Sequence, residues 1–208
     1  MRIFEIFQSI QGETSRAGLP MWFVRLAGCD LQCAYCDTPD ARDADAGRPM
    51  TVPEVLAAVP PPPAWVAITG GEPALQLADV NALIAALLDR RQRVLVETSG
   101  AHPIDDLNPC AVRIVDVKTP GSGMADRNCW ENLDRLTPQD EVKFVLTGRA
   151  DYDWSRAVVA RCRLADRVPI LFSPARPGLD ARRLAEWIVA DGLPVRLNLQ
   201  MHKDLGLR

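Results

Sequence analysis

The stretch Met21-Trp22-Phe23-Val24-Arg25-Leu26-Ala27-Gly28-Cys29-Asp30-Leu31-Gln32-Cys33-Ala34-Tyr35-Cys36 joins two different kinds of segment. Met21 to Ala27 is apolar apart from Arg25, the run expected of a buried strand. An Arg inside such a strand is costly unless it meets an anion or a carboxylate, so Arg25 is either a ligand binder or half of an ion pair. The following loop carries thiols at positions 29, 33 and 36, and a loop of this length brings three sulfurs around one small cluster. Three cysteines are one ligand short of a closed structural zinc site or a saturated [4Fe–4S] cube. The shortfall leaves one iron open to a substrate or cofactor. A ferredoxin-type site would want a further Cys close by, and the next is Cys110.

The same succession, strand then polar loop, recurs along the chain. Residues 1–20 are a short extended piece and a Gly-containing polar loop. Ala64 to Ile68 leads into Thr69-Gly70-Gly71-Glu72-Pro73, and Val94-Leu95-Val96 into Glu97-Thr98-Ser99-Gly100. Val112 to Val117 ends at Lys118 to Gly123, Val142 to Leu146 follows, and Val168 to Phe172 ends in Ser173-Pro174. Between them, Thr51-Val52-Pro53-Glu54 has capping-box spacing and opens a helix through Val59. Val80, Leu83, Ile84, Leu87 and Leu88 share a helical face. Helices are also expected over Asn128 to Leu136, Tyr152 to Arg163, and Asp180 to about Ala190, with Asp37 to Pro49 as loop. Alternation in Val195, Leu197 and Leu199 predicts a closing strand. Strands alternating with helices predict an α/β fold of parallel units with right-handed crossovers, whose loops at the carboxyl ends of the strands form one ligand-binding face. Strands of this number, about six, are too few for a closed eight-stranded barrel, so a single domain over 1–208 built as a partial, open β/α barrel is expected.

With 48% hydrophobic and 25% charged residues and a net charge of -3, the composition is that of an ordinary globular protein and gives no electrostatic reason to expect nucleic acid. No window approaches the roughly 18 apolar residues of a membrane span. The start, Met1-Arg2-Ile3-Phe4-Glu5, has no signal-peptide pattern, so a cytoplasmic location is expected. In a reducing compartment the cysteines read as metal or redox groups rather than as a disulfide framework. Cys110, Cys129 and Cys162, isolated in sequence, read as buried hydrophobes or inert thiols.

Cys29-x3-Cys33-x2-Cys36, with Tyr35 before the last thiol and Gly70-Gly71-Glu72-Pro73 after a strand, resembles the radical S-adenosylmethionine superfamily. Within it, the chain is similar from end to end to the 7-carboxy-7-deazaguanine synthase family of queuosine biosynthesis. The similarity lies in Ser9-Ile10-Gln11-Gly12-Glu13, Phe23 to Cys29, Cys36-Asp37-Thr38, Thr69 to Pro73, Glu97 to Gly100, Asp116 to Gly123, and Leu199-Gln200-Met201-His202-Lys203. The resemblance implies a trimmed radical-enzyme core. It implies a lyase that converts 6-carboxy-5,6,7,8-tetrahydropterin to 7-carboxy-7-deazaguanine with loss of ammonia. A 5′-deoxyadenosyl radical would take hydrogen from C6 of the pterin and later return it, so S-adenosylmethionine is regenerated.

The resemblance also implies roles. Cys29, Cys33 and Cys36 would hold a [4Fe–4S] cluster, and Thr38 would bind Mg²⁺, completed by the substrate carboxylate and other oxygens. S-adenosylmethionine would be met by Tyr35, Cys36, Asp37, Gly71, Ser99, Asp116, Val117, Lys118 and Ser173, with the segment to Arg176 contributing. The pterin would be met by Ile10, Gln11, Gly12, Glu13, Arg25, Thr69 and His202, under a C-terminal tail (198–208) whose last residue, Arg208, could offer its carboxylate. Where relatives commonly read Ser-Pro-Lys, this chain has Asp116-Val117-Lys118. A flavodoxin- or ferredoxin-type reductant and a homodimer are further implications. No residue stands out as the catalytic base, and His102 reads as an ordinary loop residue. Two other readings share the thiol spacing: a glycyl-radical-activating enzyme, which would leave Gln11, Glu13 and Thr38 unexplained, and a non-catalytic iron–sulfur or zinc protein.

Overall fold

The chain is described here by a computed structural model covering residues 1–207. Its strands are β1 (Arg2–Ile10), β2 (Pro20–Leu26), β3 (Arg48–Pro49), β4 (Trp65–Gly70), β5 (Arg93–Thr98), β6 (Val112–Asp116), β7 (Glu141–Leu146), β8 (Ile170–Pro174) and β9 (Arg196–Leu197). The α-helices are α1 (Val52–Ala58), α2 (Leu77–Asp89), α3 (Arg149–Arg161), α4 (Ala181–Asp191) and the single turn α5 (Met201–Asp204). One nine-stranded sheet runs in the order β3-β1-β2-β4-β5-β6-β7-β8-β9. From β2 to β9 every pairing is parallel, while β1 lies antiparallel to β2 and to β3.

A count of about six strands is therefore too low. The parallel strands β2 and β4 to β8 were legible as apolar runs. The N-terminal piece is a nine-residue strand, only partly buried along most of its length, so its alternation is weak. The pairing of Arg48–Pro49 lies inside the expected loop, on the exposed sheet edge. At the far edge, β9 is two exposed residues long, and the Asn198 backbone N–H still bonds the Phe172 carbonyl of β8. Residues 128–136 are not an α-helix: Asn128 bonds the backbone of Lys118 on both sides and Asn132 bonds Gly100, His102 and Ile104, leaving only a 3₁₀ segment at Trp130–Asp134. Asn side chains compete with helix in this way.

The sheet curls. Thr14 N–H donates to Asn198 Oδ1 at 2.8 Å, and Ser15 N–H to Glu141 Oε2 at 2.9 Å. In a flat sheet β1 and β9 would lie about 34 Å apart, seven strand spacings. The four residues from Ile10 to Thr14 reach at most about 14 Å. Both can hold only if the sheet bends until its two ends face the same loop.

Period-two alternation then separates two environments. Outward-facing Val24, Leu26, Val66, Ile68, Val94, Val96, Val115, Val142, Phe144 and Phe172 pack under the apolar faces of α2, α3 and α4 in the main core. Inward-facing Met21, Phe23, Ala67, Leu95, Val112 and Ile114 form a small second cluster that fills the base of the curl. The Thr51 capping box fixes the start of α1, and the Asp180 side chain caps α4 through Arg183 N–H.

Candidate active site

Above that apolar base, the inward positions near the carboxyl ends of the strands turn polar. Arg25 of β2, Thr69 of β4, Glu97 of β5, Asp116 of β6, Lys143 of β7 and Ser173 of β8 all line one cavity. The cavity has a volume of about 210 Å³ and is open at its mouth.

One side belongs to the cysteine loop. Cys29, Cys33 and Cys36 all line the cavity, and none of Cys110, Cys129 and Cys162 does. The loop is held by Cys29 N–H to the Arg42 carbonyl at 3.0 Å and Ala34 N–H to the Ser122 carbonyl at 3.0 Å. Burial pushes the Cys29 and Cys33 thiols up, and binding to a metal would release their protons. Among the described residues no three His, Cys, Asp or Glu close on a single-ion centre. Three thiols lining one cavity, with no fourth cysteine among its described lining residues, fit a cluster that leaves one iron to another ligand.

Next to this loop the Gly-Gly-Glu-Pro segment is pinned by Glu72. Its fully buried carboxylate accepts from Thr98 Oγ1 (2.8 Å), Ser99 N–H (2.6 Å) and Ala74 N–H (2.8 Å), tying the turn after β4 to the turn after β5. Gly71 passes so close to the cysteine loop that a Cβ there would sit 1.9 Å from the Gly28 carbonyl oxygen. Lys118 Nζ meets Asp116 Oδ2 at 3.0 Å, while the buried Asp116 Oδ1 has no protein partner and burial raises the nearby Tyr35 phenol. A glycine-lined strip, an unpartnered carboxylate oxygen and a buried ammonium are donor and acceptor groups suited to an amino acid and a ribose, so the residues present fit S-adenosylmethionine.

The other side is built from the segment after β1. Gln11 Nε2 donates to Glu97 Oε1 (3.2 Å), its Oε1 accepts from Glu13 N–H (3.0 Å), and Thr69 Oγ1 reaches Glu97 Oε2 (3.4 Å). Glu13 accepts from Lys143 Nζ (3.1 Å) and Gln200 Nε2 (2.9 Å). Burial would raise the Glu13 carboxyl, but Lys143 and Gln200 outweigh it and hold it below its usual value. Glu97, raised by burial and by the charge of Glu13, shares the same ammonium. The tail closes the roof: Gly12 leaves space for His202, whose Nδ1 would lie 1.9 Å from a Cβ at position 12, and Met201 N–H bonds the Gly12 carbonyl. Burial lowers the His202 imidazole. Phe7 and Phe23, stacked at 5.1 Å, offer a flat wall beside these groups.

Arg25 forms the ion pair the sequence allowed, with Glu5 at 2.9 Å, and it also lines the cavity. Its NH1 donates to Thr38 Oγ1 (3.2 Å), which in turn donates to Asp37 Oδ1 (3.2 Å). Ile10, Thr38 and Asp37 line the cavity as well. Val117 does not: strand alternation sends Asp116 and Lys118 inward and buries Val117 in the main core. Arg208 lies outside the described residues. His102 stands off the cavity, bonded to Asp30. Of the other cysteines, Cys110 is exposed rather than buried.

Lys143, Glu97 and Gln200 had no role assigned from sequence. Lys143 was detectable by the reasoning applied to Arg25, being a lone charge in the apolar strand Val142 to Leu146. That reasoning needs a partner to discriminate, because Arg113 in β6 turns away from the cavity to the buried Asp140, at 2.6 Å, and to the carbonyls of Ile104 and Arg135.

Comparison with known proteins agrees with this geometry. Residues 10–118 match the family model described as a 4Fe-4S single cluster domain. The chain is 42% identical over 207 residues to the 7-carboxy-7-deazaguanine synthase of Chlorobaculum tepidum, covering 98% of this chain and 93% of the relative. It is 42% identical to that of Koribacter versatilis (98% and 96% covered) and 41% identical to that of Methanospirillum hungatei (100% and 86%). The crystal structure of QueE from Escherichia coli superposes with a TM-score of 0.79 at 26% identity, covering 97% of this chain and 94% of that one.

Proposed function

Since this chain belongs to the 7-carboxy-7-deazaguanine synthase family, radical S-adenosylmethionine enzymes of 7-deazapurine biosynthesis, we propose that it converts 6-carboxy-5,6,7,8-tetrahydropterin to 7-carboxy-7-deazaguanine with loss of ammonia. The observation carrying this reading is that the three thiols and the polar groups around Gln11, Glu13 and Thr69 line one cavity. Cys29, Cys33 and Cys36 would hold the [4Fe–4S] cluster, which with bound S-adenosylmethionine supplies the one-electron cleavage that starts the reaction.

The protein's own part is binding and orientation. Gly71, Ser99, Asp116 and Lys118 would grip the cofactor, with Tyr35, Cys36, Asp37 and Ser173 along its flank. Ile10 and Gly12 would bound the pterin, while Gln11, Glu13, Thr69 and His202 would read its edge. An analogue lacking those edge groups would leave buried polar atoms unpaired and be rejected. Arg25 would meet the substrate carboxylate, and the adjoining Thr38 hydroxyl is a hard oxygen donor that would join that carboxylate on Mg²⁺. The tail from Asn198 would close over the substrate and exclude water. A homodimer and a flavodoxin- or ferredoxin-type electron donor complete the reading. No helix among the described residues is long and apolar enough to cross a membrane.

The test is mass spectrometry of products from anaerobically reconstituted, reduced protein with carboxytetrahydropterin, S-adenosylmethionine and Mg²⁺. 7-Carboxy-7-deazaguanine is expected; cofactor cleavage without it would overturn the substrate assignment. Thr38→Ala should shift the Mg²⁺ titration of turnover to higher concentration by about tenfold, leaving cofactor affinity within about threefold. Superimposable titrations would remove Thr38 from the metal site.

A further inference from the structure

The cavity carries more buried carboxylate than its ligands explain, and its ammonium groups are unevenly placed. Asp116 is matched by Lys118 at 3.0 Å, and the half-exposed Asp37 by Lys203 at 3.1 Å. Glu13 and Glu97 stand close enough to repel each other, and Glu13 has a salt bridge to Lys143 alone among the described residues. Lys143 projects inward from β7 with its side chain 11% exposed, 3.1 Å from Glu13 Oε2 and 3.9 Å from Asp116 Oδ2. It thus stands where the substrate side of the cavity meets the cofactor side.

We propose that Lys143 is a positioning residue for the pterin: its ammonium anchors Glu13 and lets Glu13 and Glu97 face the same flat, N–H-bearing ring edge. Two carboxylates facing one buried ring would otherwise repel, and one would turn away or take up a proton. Glu13 keeps one oxygen on the Lys143 ammonium and the other on Gln200, so the carboxylate is fixed before ligand arrives. Glu97 is held by Gln11 and Thr69. Burial opposes the charge on Lys143, yet Glu13, Asp116 and Glu97 together hold its pKa well above the ordinary lysine value. The ammonium is a permanent part of the wall, and it acts through Glu13 rather than on the reacting atoms.

This inference rests on the pterin reading above, and one experiment separates the two. Binding of carboxytetrahydropterin and, separately, of S-adenosylmethionine is measured by calorimetry on cluster-loaded, unreduced, anaerobic protein, so that no turnover occurs. Lys143→Met should weaken the pterin by about tenfold or more, the loss of a charge-assisted hydrogen bond, and the cofactor by less than about threefold. Lys143→Arg, which restores the positive charge, should recover most of the pterin affinity while leaving cofactor binding unchanged. Pterin affinity equal to wild type in Lys143→Met would overturn the role of Lys143 alone. Equal weakening of both ligands, with no recovery in Lys143→Arg, would make the residue merely structural and overturn it too. Failure of the wild-type protein to bind the pterin would instead overturn the functional reading, and this role with it.

Discussion

Glu72 is fully buried and yet carries three hydrogen bonds to two different turns. Each is charge-assisted, and truncation would strand buried donors on Thr98 and Ser99. Glu72→Ala should therefore cost about 3 kcal/mol or more in urea unfolding. A loss under about 1 kcal/mol would mean that the turn does not depend on it. The sequence made Glu72 visible as part of a turn before a helix, but not that its side chain faces inward to bind a neighbouring loop. Reading single residues picked out three thiols that line one cavity, and failed where orientation decides. Val117 sits between two cavity residues and is core by alternation alone, whereas Lys143 is a cavity residue whose partner lies 130 positions away.

At the scale of elements, the segment from Gln11 to Leu19 is a strap across the curl rather than a surface turn. Glu141, buried at the start of β7, accepts from Ser15 N–H, Ser15 Oγ and Arg16. Asn198 accepts from Thr14 N–H and donates to Ser173 Oγ at 2.8 Å, while Thr14 is held at a positive φ of 67°. A non-Gly residue there costs energy that the two anchors offset. Glu141→Ala should speed amide exchange at Thr14 and Ser15 and raise the KM for the pterin by about fivefold or more, with β4 and β5 still protected. Unchanged exchange in the strap would show that it is held elsewhere. Helices α1, α2 and α4 were legible from caps and apolar faces. The strap was not, because both anchors lie more than 120 residues along the chain and no periodicity encodes them.

For the whole molecule, alternation puts an apolar core outside the curled sheet and a charged cavity inside it, and the charges make stability depend on pH. Burial pushes Asp37 up, but Lys203 and Lys143 overcome it and hold the carboxyl at about 2 instead of 3.8. A carboxylate with a depressed folded pKa stabilises the fold above its unfolded value and loses that contribution as pH falls through the folded one. Glu13 has the same sign, whereas Glu97, raised by burial, withdraws stability as pH rises above its ordinary value of 4.5. The melting temperature should thus fall as pH drops from about 4 toward 2, and Asp37→Asn should flatten that limb. An equally steep limb in the variant would exclude Asp37 as a contributor. The parallel architecture was legible because strands alternate with helices along the chain. The degree of curl was not, since it is set by contacts between the two ends of the sheet.

The claim on which the rest depends is that three cysteines alone ligate the cluster and that its remaining position opens into the cavity. Electron paramagnetic resonance of the reduced, reconstituted protein, recorded with and without S-adenosylmethionine, tests it directly. The [4Fe–4S]⁺ signal should change in g-values and line shape when the cofactor is added. A spectrum that stays the same at saturating cofactor would mean that a protein atom already fills the fourth position, and would contradict it.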